Sequence, residues 1–300
     1  MSIPTFYHRS VLLREAIDGL SINEDGIYVD ATFGGGGHSK AILEKLGSKG
    51  KLIAFDQDED VWQNLVADDR LIPVKENFKY LRRFLRLHGI TEVDGILADL
   101  GVSSFQFDTA ERGFSIRFDG PLDMRMDKRA EKDAAVVLNT YSEQQLHKLF
   151  EEYGEVRNSK QLAKHIVVSR KSLQVNTIEG LKAMLGPVIK GNPNRYLAQV
   201  FQALRIEVND EMGVLKDFLQ QAAGSLKTGG KLCIISFHSL EDRIVKQYMK
   251  RGAWDEPEQF AEPVKPLLKM MTPKPVEPTE EEMRENPRSR SAKLRIAERI

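Results

Sequence analysis

The chain has 300 residues, which is long enough for one large domain or two modest ones with a sizeable buried core. Lys and Arg together number 44, as do Asp and Glu, so no global charge attracts nucleic acid and any RNA contact must come from local patches. The only cysteine of the sequence, Cys233, excludes an internal disulfide and indicates a reducing compartment. No apolar run approaches the ~20 residues of a membrane span, and the first ten residues lack the hydrophobic region of a signal peptide. We therefore predict a cytoplasmic protein with no membrane partner.

The first predicted elements are a helical stripe at residues 11–20 and then the stretch 26–60, which has the order of a nucleotide-binding βαβ unit. An apolar strand at 27–29 leads to Asp30 and to four consecutive glycines at 34–37, named here the glycine loop. A helical pattern follows, and a second strand at 52–55 ends at Asp56. Glycines let the backbone approach a ligand closely, and a helix N-terminus offers unpaired N–H groups. Asp56 has the chain spacing of a carboxylate that holds ribose hydroxyls, so the stretch predicts a ligand site.

Two kinds of ligand use such a unit, a dinucleotide or S-adenosylmethionine. A dinucleotide motif needs a small residue at its third glycine position, and Ser39 meets that need after Gly34 and Gly36. Asp30 favours the other ligand, because a carboxylate there suits the cationic methionine end of S-adenosylmethionine and repels a pyrophosphate. The glycine loop therefore favours S-adenosylmethionine and leaves the dinucleotide open.

Two more strands are predicted in the first third of the chain. Residues 71–74 form the third, and Pro73 within it indicates a position near a sheet edge. Phe78 comes next, either packed on an adenine face or at the start of a helix that continues to residue 87. Residues 93–100 form the fourth strand, which is apolar enough to be buried on both faces and finishes at Asp99.

An inserted subdomain is predicted between the fourth and fifth strands. The next run typical of a buried parallel strand is at 231–237, after a turn at 228–230. Far more residues separate it from the fourth strand than the few tens that a crossover takes. Helical spacing in between predicts an all-helical insert, with one long helix carrying an apolar stripe from Tyr196 to Met212. We place the α/β domain at residues 1–107 and 213–300, and the insert at 108–212.

The insert also carries candidate contacts to a polar substrate. A segment with little periodicity follows the fourth strand, and long irregular segments at the carboxyl end of a strand often carry binding residues. Within it, Asp123, Arg125 and Asp127 predict a paired polar network near a cleft. The long helix offers four further candidates on its other faces: Arg195, Gln199, Gln202 and Arg205.

The last part of the chain completes the α/β domain. Ser239, with Asp242 three residues on, predicts the N-cap of a helix after the fifth strand. His238 and Glu241 lack a second His–carboxylate pair, so we predict no metal site. Residues 255–287 are rich in Pro, Glu and Lys and predict an extended excursion, while apolar alternation at 292–296 predicts a half-buried last strand.

Eight segments, spread over nearly the whole chain and in a fixed order, carry a family resemblance: DATFGGGGHS, AFDQDED, DGILADLGVSS, AERGFS, GPLDMRMD, FQALRIEVND, SFHSLEDRIVK and NPRSRSAKLRIAER. Together they resemble the bacterial ribosomal RNA small-subunit methyltransferase H family, once called MraW. The resemblance implies an S-adenosylmethionine-dependent enzyme that methylates the N4 amine of cytidine at position 1402 of 16S rRNA. It also implies a Rossmann-like class I methyltransferase domain interrupted by an all-helical subdomain that recognises the substrate.

The same resemblance carries cofactor contacts over to seven positions that match the family motifs: Gly36, Gly37, His38, Asp56, Phe78, Asp99 and Gln106. Many relatives have a basic residue where this chain has Gly35, so Gly35 is expected to contact the cofactor through its backbone alone. The implied partner is 16S rRNA within the small ribosomal subunit, and a homodimer is a candidate assembly.

The residues themselves also support an amine acceptor. Methylation of a cytosine at C5 requires a nucleophilic cysteine, and Cys233 lies in the middle of an apolar run. Methylation of an exocyclic amine is a direct displacement, which needs the nitrogen held in line and an acceptor for its N–H. Amino-methyltransferases commonly carry Asp, Asn or Ser followed by Pro-Pro-aromatic after the fourth strand, and this chain has Asp99 without the two prolines. The predicted residues are Asp99, Ser103 and Ser104 for catalysis, Phe105 or Phe107 for stacking of the base, and Asp123 and Arg125 for further substrate contacts.

Two other functions are compatible with the sequence. An NAD-dependent oxidoreductase uses the same βαβ unit, and binding of S-adenosylhomocysteine or of NAD separates the two. A non-catalytic RNA-binding or assembly factor that retains the pocket is the second, and only a methyl-transfer assay excludes it.

Overall fold

Residues 10–65, 67–254 and 265–300 are described by the structure, which is a computed structural model. The start of the predicted excursion at 255–264, and all but the last of the ten N-terminal residues, lie outside the described part. Within it, seven strands form a sheet of order β3-β2-β1-β4-β5-β7-β6. Their bounds are β1 Ile27–Asp30, β2 Lys51–Phe55, β3 Leu71–Val74, β4 Val93–Asp99, β5 Leu226–Ser236, β6 Leu268–Met270 and β7 Lys293–Arg299.

The sheet is mostly parallel, as the βαβ pattern predicts. The first five strands run parallel, and β7 is antiparallel to both of its neighbours, β5 and β6. Strand β1 lies between β2 and β4, so the direction of winding reverses at β1 and β4. Ligands of open α/β sheets bind at such a reversal, outside the carboxyl ends of the strands. The predicted Rossmann-like α/β fold is confirmed.

Helices account for most of the remaining described chain. Their bounds are α1 Leu13–Leu20, α2 Gly37–Lys45, α3 Leu81–Leu87, α4 Ser104–Asp108, α5 Ala134–Thr140, α6 Glu143–Glu152, α7 Ser159–Ser169, α8 Ile178–Leu185, α9 Pro193–Asn209, α10 Glu211–Ala223, α11 Ser239–Arg251 and α12 Glu280–Glu285. Short 3-10 helices occur at Glu59–Asn64, Phe78–Tyr80, Ala110–Arg112, Gly186–Val188 and Pro287–Ser291.

The α/β unit buries an apolar layer on each face of its sheet. Helices α1 and α2 cover one face, with Leu20 and Ile42 fully buried among the side chains of β1, β2, β4 and β5. Helices α3, α10 and α11 cover the other, where Leu81, Phe218 and Met249 are fully buried. Because both faces are covered, the buried segments of the inner parallel strands, such as residues 52–55 and 232–235, are continuously apolar.

The insert has an apolar core of its own. Helices α5 to α9 surround side chains such as Leu138, Phe150, Ile166 and Leu204, all fully buried. One isolated antiparallel bridge joins Pro121 to Thr177, and the rest of the insert's regular structure is helical. The all-helical insert that the sequence predicts is confirmed.

Three predicted element boundaries are wrong. The fifth strand begins at Leu226 and runs through the supposed turn at 228–230, with Gly229 at φ +83° and a register irregularity opposite β4. A glycine inside a strand marks a bulge as readily as a turn, which explains the error. The long helix ends at Asn209, because Asp210 adopts φ +48°, so Met212 belongs to α10. The excursion contains β6 and α12 within residues 265–287.

The described chain divides into two compact units, residues 1–101 with 213–300 and residues 102–212. The first boundary therefore falls after Gly101, whereas the sequence prediction placed it after Phe107. Helix α4 carries residues 104–108, and this short helix groups with the insert. Within the described residues, none of the helices combines the length and the apolar composition that crossing a bilayer requires.

Candidate functional site

Three carboxylates follow neighbouring parallel strands at one edge of the sheet. Asp30 ends β1, Asp56 comes directly after β2, and Asp99 ends β4. Backbone pairing continues past the strand ends, since the Ala31 N–H donates to the Leu97 carbonyl and the Phe33 N–H donates to the Phe55 carbonyl. The carboxyl ends of β1, β2 and β4 thus form one edge at the winding reversal. We name its three carboxylates, Asp30, Asp56 and Asp99, the acidic rim.

The glycine loop closes over this rim in a turn that uses two left-handed backbone conformations. Gly34 and Gly36 adopt φ +50° and +75°, conformations that favour glycine. The Gly34 N–H donates to Asp56 Oδ2 at 2.8 Å, which ties the loop to the end of β2. Beneath the loop, the ring of Phe33 stacks on Trp62 with centroids 4.7 Å apart. Gly37 begins α2. A Cβ at this position would lie 2.1 Å from Ser10 Oγ, so any larger residue here would force the Ser10 side chain to move.

Gly35 differs from its neighbours because it faces open space. A Cβ built on it has no heavy atom within 4 Å. Its backbone also lies outside the left-handed region, so an L side chain is compatible with this position. That the Gly35 backbone contacts the cofactor stays a prediction.

Asp30 is fully buried and holds the loop from below. Its Oδ1 accepts the Thr32 N–H at 3.1 Å, and its Oδ2 accepts the Ser39 hydroxyl at 2.6 Å. Burial raises the pKa of Asp30, while His38 and these hydrogen bonds partly offset the rise. Ser39 is therefore committed to Asp30 and is itself buried, as a small residue that packs the helix on the strand is with either ligand, so Ser39 does not separate the two.

His38 is buried between the N-terminal segment and Asp99. Its Nε2 lies 3.1 Å from the Val11 carbonyl, which can only accept, so we assign the proton to Nε2. Burial lowers the pKa of His38, and the ring is neutral. The unprotonated Nδ1 therefore faces Asp99 Oδ2 at 3.7 Å, beyond hydrogen-bond distance. The neutral His38 ring therefore lines the acidic rim without adding a positive charge to it.

Asp99 has the most unusual environment of the three carboxylates. Burial, followed by the charges of Asp30 and Glu241, raises its pKa well above the usual range for an aspartate. Its backbone N–H donates to Thr32 Oγ1 at 2.7 Å. Its Oδ1 is buried without a hydrogen-bond partner among the residues that the structure describes. A buried polar atom without a partner is costly, so this oxygen fits a ligand that brings a donor or a positive charge.

Asp56 is partly buried and accepts two backbone N–H groups, from Gly34 and from Asp58 at 2.9 Å. Burial nevertheless raises the pKa of Asp56 to about 6, despite those hydrogen bonds. Asp58 is buried too and caps the 3-10 helix that follows by accepting the Asp60 N–H. Thr32 and Asp58 support the site and were not among the predicted site residues. Both are visible as short polar residues two positions after a predicted site carboxylate.

Phe78 lies at the start of a 3-10 helix and packs edge-on against Phe218, with centroids 4.9 Å apart. It is only partly buried, so both earlier interpretations, helix start and adenine contact, remain compatible with its position. The preceding Asn77 donates to Gln57 Oε1 at 2.8 Å and joins the loops that follow β2 and β3.

The helix after β5 is capped by a different residue than predicted. His238 is the N-cap of α11, and Glu241 forms the capping box by accepting the N–H groups of Phe237 and His238. The predicted Ser239 cap is wrong, because the helix begins at Ser239 itself. Glu241 is buried and adds negative charge behind Asp99. That no metal binds here stays a prediction.

The predicted site residues of the insert lie around α4. Ser103 caps this helix, accepting the Gln106 N–H at 3.2 Å while the Gln106 side chain accepts the Ser103 N–H at 3.1 Å. Both side chains are therefore engaged in a structural capping box. Ser104 begins the helix, and Phe105 exposes half of its side chain, which suits a stacking surface. The catalytic role of the serines and the cofactor role of Gln106 stay predictions.

The predicted polar network in the irregular segment divides into two separate ion pairs. Arg125 pairs bidentately with Asp123, with its Nη2 2.7 Å from Asp123 Oδ2. Asp127 pairs with Arg129, at 2.9 Å. Arg125 also donates to the carbonyl of Ala130 at 2.6 Å, so this arginine stabilises a turn. Its role as a substrate contact stays a prediction.

The acidic rim fits a cationic ligand with hydroxyl groups. Three carboxylates with raised pKa values, one buried oxygen without a partner and an open space beside Gly35 leave room for such a group. Each raised pKa means that the ionised form is disfavoured, and a positive charge nearby relieves that cost. A pyrophosphate has the wrong sign for this environment, which argues against the dinucleotide alternative.

A comparison with family models matches residues 5–300 to the MraW methylase family. The chain belongs to this family. Curated relatives agree over the full length. The chain is 52% identical to the ribosomal RNA small subunit methyltransferase H of Flavobacterium johnsoniae, with 98% of each chain covered. It is 50% identical to the protein of the same name from Christiangramia forsetii, with 100% of each covered.

Solved structures offer only a distant likeness. An rRNA methylase from Streptococcus thermophilus aligns with 97% of this chain and 98% of its own, at 11% identity and a TM-score of 0.42. The fold assignment of this MraW family member therefore depends on its own strand order and family match.

Proposed function

We propose that this MraW family member transfers the methyl group of S-adenosylmethionine to the N4 amine of cytidine 1402 in the 16S rRNA of the small ribosomal subunit. The observation that carries the proposal is the identity of about one residue in two, over the whole chain, with relatives named ribosomal RNA small subunit methyltransferase H. The nucleotide position comes from the family resemblance. A cytoplasmic location follows from such a substrate, and a homodimer stays a prediction.

The acidic rim supports S-adenosylmethionine as the cofactor, whose sulfonium supplies an activated methyl group. Asp56 is placed to accept from ribose hydroxyls, and Asp30 and Asp99 supply negative charge for a cation. The glycine loop, held by Asp30 and Asp56, leaves the backbone at Gly35 open for close approach.

The chemistry of the side chains supports an amine acceptor. Cys233 is fully buried within β5, and burial raises the pKa of its thiol to about 12, so the thiolate needed for a C5 mechanism is absent at neutral pH. Asp99 lies at the end of β4 with an oxygen free to accept. It orients the amine as a hydrogen-bond acceptor, and its raised pKa makes it a stronger proton acceptor than an ordinary aspartate.

A methyl-transfer assay tests the proposal. Small ribosomal subunits from a strain that lacks the enzyme, incubated with the protein and tritiated S-adenosylmethionine, should gain about one methyl group per subunit, on N4 of a single cytidine. The Cys233→Ala variant should retain transfer. Absence of incorporation would favour a binding or assembly factor, and methylation at C5 would exclude the amine mechanism.

Asp99→Asn separates binding from chemistry. Asn preserves the shape but cannot take a proton, so we expect the rate of methyl transfer to fall by about 100-fold or more. Affinity for S-adenosylhomocysteine, which lacks the sulfonium charge, should change by less than about fivefold. A variant with the wild-type rate and normal cofactor affinity would exclude Asp99 as the acceptor.

A further inference from the structure

The insert has a strongly uneven charge distribution although the whole chain is neutral. Residues 157–195 contain eight basic residues and one acidic residue, Glu179. The rest of the insert, residues 102–156 and 196–212, contains eight basic and fourteen acidic residues. A local excess of this size produces a positive potential even when the net charge of the protein is zero.

Most basic side chains outside the segment 157–195 are neutralised by the insert itself. The paired ones include Arg117 with Asp108, Arg125 with Asp123, Arg129 with Asp127, Lys132 with Glu207, Lys148 with Glu152, and Arg205 with Glu211. Arg205 was a candidate substrate contact, and its ion pair with Glu211 gives it a structural role. Gln199 and Gln202 likewise donate to the carbonyls of Glu155 and Tyr153.

Six basic side chains in the segment 157–195 behave differently, and we name them the basic face: Arg157, Lys160, Lys164, Lys171, Lys190 and Arg195. All six are exposed. None of their side chains has a hydrogen bond or ion pair with any residue in the described part of the chain. The segment's other two cations are engaged, Arg170 with the Leu138 carbonyl and Lys182 with Glu179.

Helix α7 aligns three of these cations. Leu162, Ala163 and Ile166 are fully buried on its inner side. Lys160 and Lys164 are one turn apart on the outer side, about 6 Å along the axis, and exposed Lys171 follows in the turn after the helix ends.

Two hydrogen bonds bring the other cations to the start of α7. Asn158 donates to the Val188 carbonyl at 3.0 Å, so the loop that carries Lys190 lies beside Arg157. Gln199 donates to the Glu155 carbonyl at 3.1 Å, which places the first turns of α9, and Arg195 with them, next to the same loop. The basic face is therefore continuous from the first turns of α9 along α7.

We propose that the basic face binds the phosphate backbone of the RNA substrate, an inference that rests on the proposed function. Exposed lysines and arginines without protein partners are available to replace the counterions of a polyanion. Phosphate contacts position an RNA without reading its sequence, so the basic face fixes the register of the substrate while other residues select the base. An acidic segment of a ribosomal protein is the alternative occupant that the experiment excludes.

The test is a pair of triple variants of the full-length protein with the same change in charge. The first is Lys160→Gln, Lys164→Gln and Lys171→Gln, all in the basic face. The control is Lys128→Gln, Lys148→Gln and Lys182→Gln, three lysines of the insert that have partners. Affinity for protein-free 16S rRNA is measured between roughly 50 and 200 mM salt, and melting temperature and S-adenosylhomocysteine affinity report on folding.

We expect the first triple variant to bind RNA about tenfold or more weakly at low salt. Its slope of log affinity against log salt should be smaller by about two to three, because each lost phosphate contact removes ~0.7 to 0.9. The control should stay within about threefold with an unchanged slope. The corresponding Lys→Arg triple variant should restore both values. Equal slopes for the two Gln variants, or a loss that appears only with intact subunits, would overturn the proposal.

Methyl transfer by the wild-type protein is measured in the same preparations. If the slopes differ as expected but no methyl group is incorporated, the proposed function fails and the basic face stands. If methyl transfer occurs and the slopes are equal, the basic face alone is wrong.

Discussion

At the scale of single residues, the acidic rim combines carboxylates with different tasks. Asp30 is saturated by Thr32 and Ser39 and supports the loop, whereas Asp99 keeps one buried oxygen without a partner in the described chain. Asp56 lies between these extremes, since it holds the loop and is still partly exposed. An aspartate of the acidic rim is therefore structural when both of its carboxylate oxygens already accept hydrogen bonds from the protein, as in Asp30. It is available to a ligand when one oxygen has no such bond, as in Asp99.

Asp56 gives cofactor binding a pH dependence. With its pKa at about 6 in the free protein, Asp56 is ionised above pH 6 and protonated below it. Ribose hydroxyls bind best to the ionised form, so affinity for S-adenosylhomocysteine should be constant above about pH 7 and fall by about tenfold between pH 7 and pH 5. Calorimetric titration across this range measures it.

The Asp56→Asn variant is the matched comparison. It should bind S-adenosylhomocysteine about 10- to 100-fold more weakly at pH 8, because a hydrogen bond to a charged group contributes ~1.5–3 kcal/mol. Its pH dependence should be flatter than that of the wild type, and the difference isolates Asp56 from Asp30 and Asp99. If both proteins show the same pH curve and affinity, Asp56 does not hold the ribose.

At the scale of elements, the glycine loop depends on backbone conformation more than on space. Gly36 is at φ +75°, and a Cβ there would lie 3.0 Å from the ring of Phe33. Gly36→Ala should therefore lower the free energy of unfolding by about 1–2 kcal/mol. Gly35→Ala should leave stability unchanged or slightly higher, because its Cβ meets no other atom and the unfolded chain loses entropy.

Thermal melting of the two variants measures this difference in stability. Titration with S-adenosylhomocysteine measures whether each substitution also changes cofactor affinity. Gly35→Ala should keep near-normal affinity if the cofactor uses only the backbone there. A Gly35→Ala variant that melts as early as Gly36→Ala would contradict the loop geometry.

The sequence predicts those elements whose burial leaves a pattern along the chain. The apolar runs of β1, β2, β3 and β4 are visible because helices cover both faces of the sheet. The alternation of β7 predicts the strand but not its burial, because Arg295 is buried in an ion pair with Asp242. Strand β6 has three residues and exists only through its pairing with β7, so no local pattern predicts it. The break before α10 depends on the positive φ of a single aspartate, Asp210, inside a continuous apolar stripe.

The candidate site follows the same division. The positions of Asp56 and Asp99 at strand ends are predictable, because periodicity locates the strands and the chain order locates their tips. Their distant neighbours are not, because Thr32 and Glu241 come close to Asp99 only in the folded chain, whereas Asp58 is a local neighbour of Asp56 that the sequence does show. The Ser103–Gln106 capping box shows the reverse case, in which polar residues that follow a site strand in the sequence serve a helix end.

At the scale of the whole molecule, the two units have separate apolar cores. The α/β unit is formed by two distant parts of the chain, whereas the insert is one continuous segment of 102–212. A continuous segment of this length with its own core has the size of an independently folding domain. The basic face lies in the insert and the acidic rim lies in the α/β unit, so the proposed RNA contacts and the proposed cofactor contacts belong to different units.

We therefore predict that residues 102–212, expressed alone, fold into a monomeric helical domain. Its far-ultraviolet circular dichroism should be that of a helical protein, and urea should unfold it in one cooperative transition. Phe150 is fully buried in this core, so Phe150→Ala should lower the free energy of unfolding by about 3–5 kcal/mol, whereas exposed Val168→Ala should change it by less than about 0.5 kcal/mol. A fragment that lacks helical structure, or that unfolds gradually with no difference between the two variants, would mean that the insert core needs the rest of the chain.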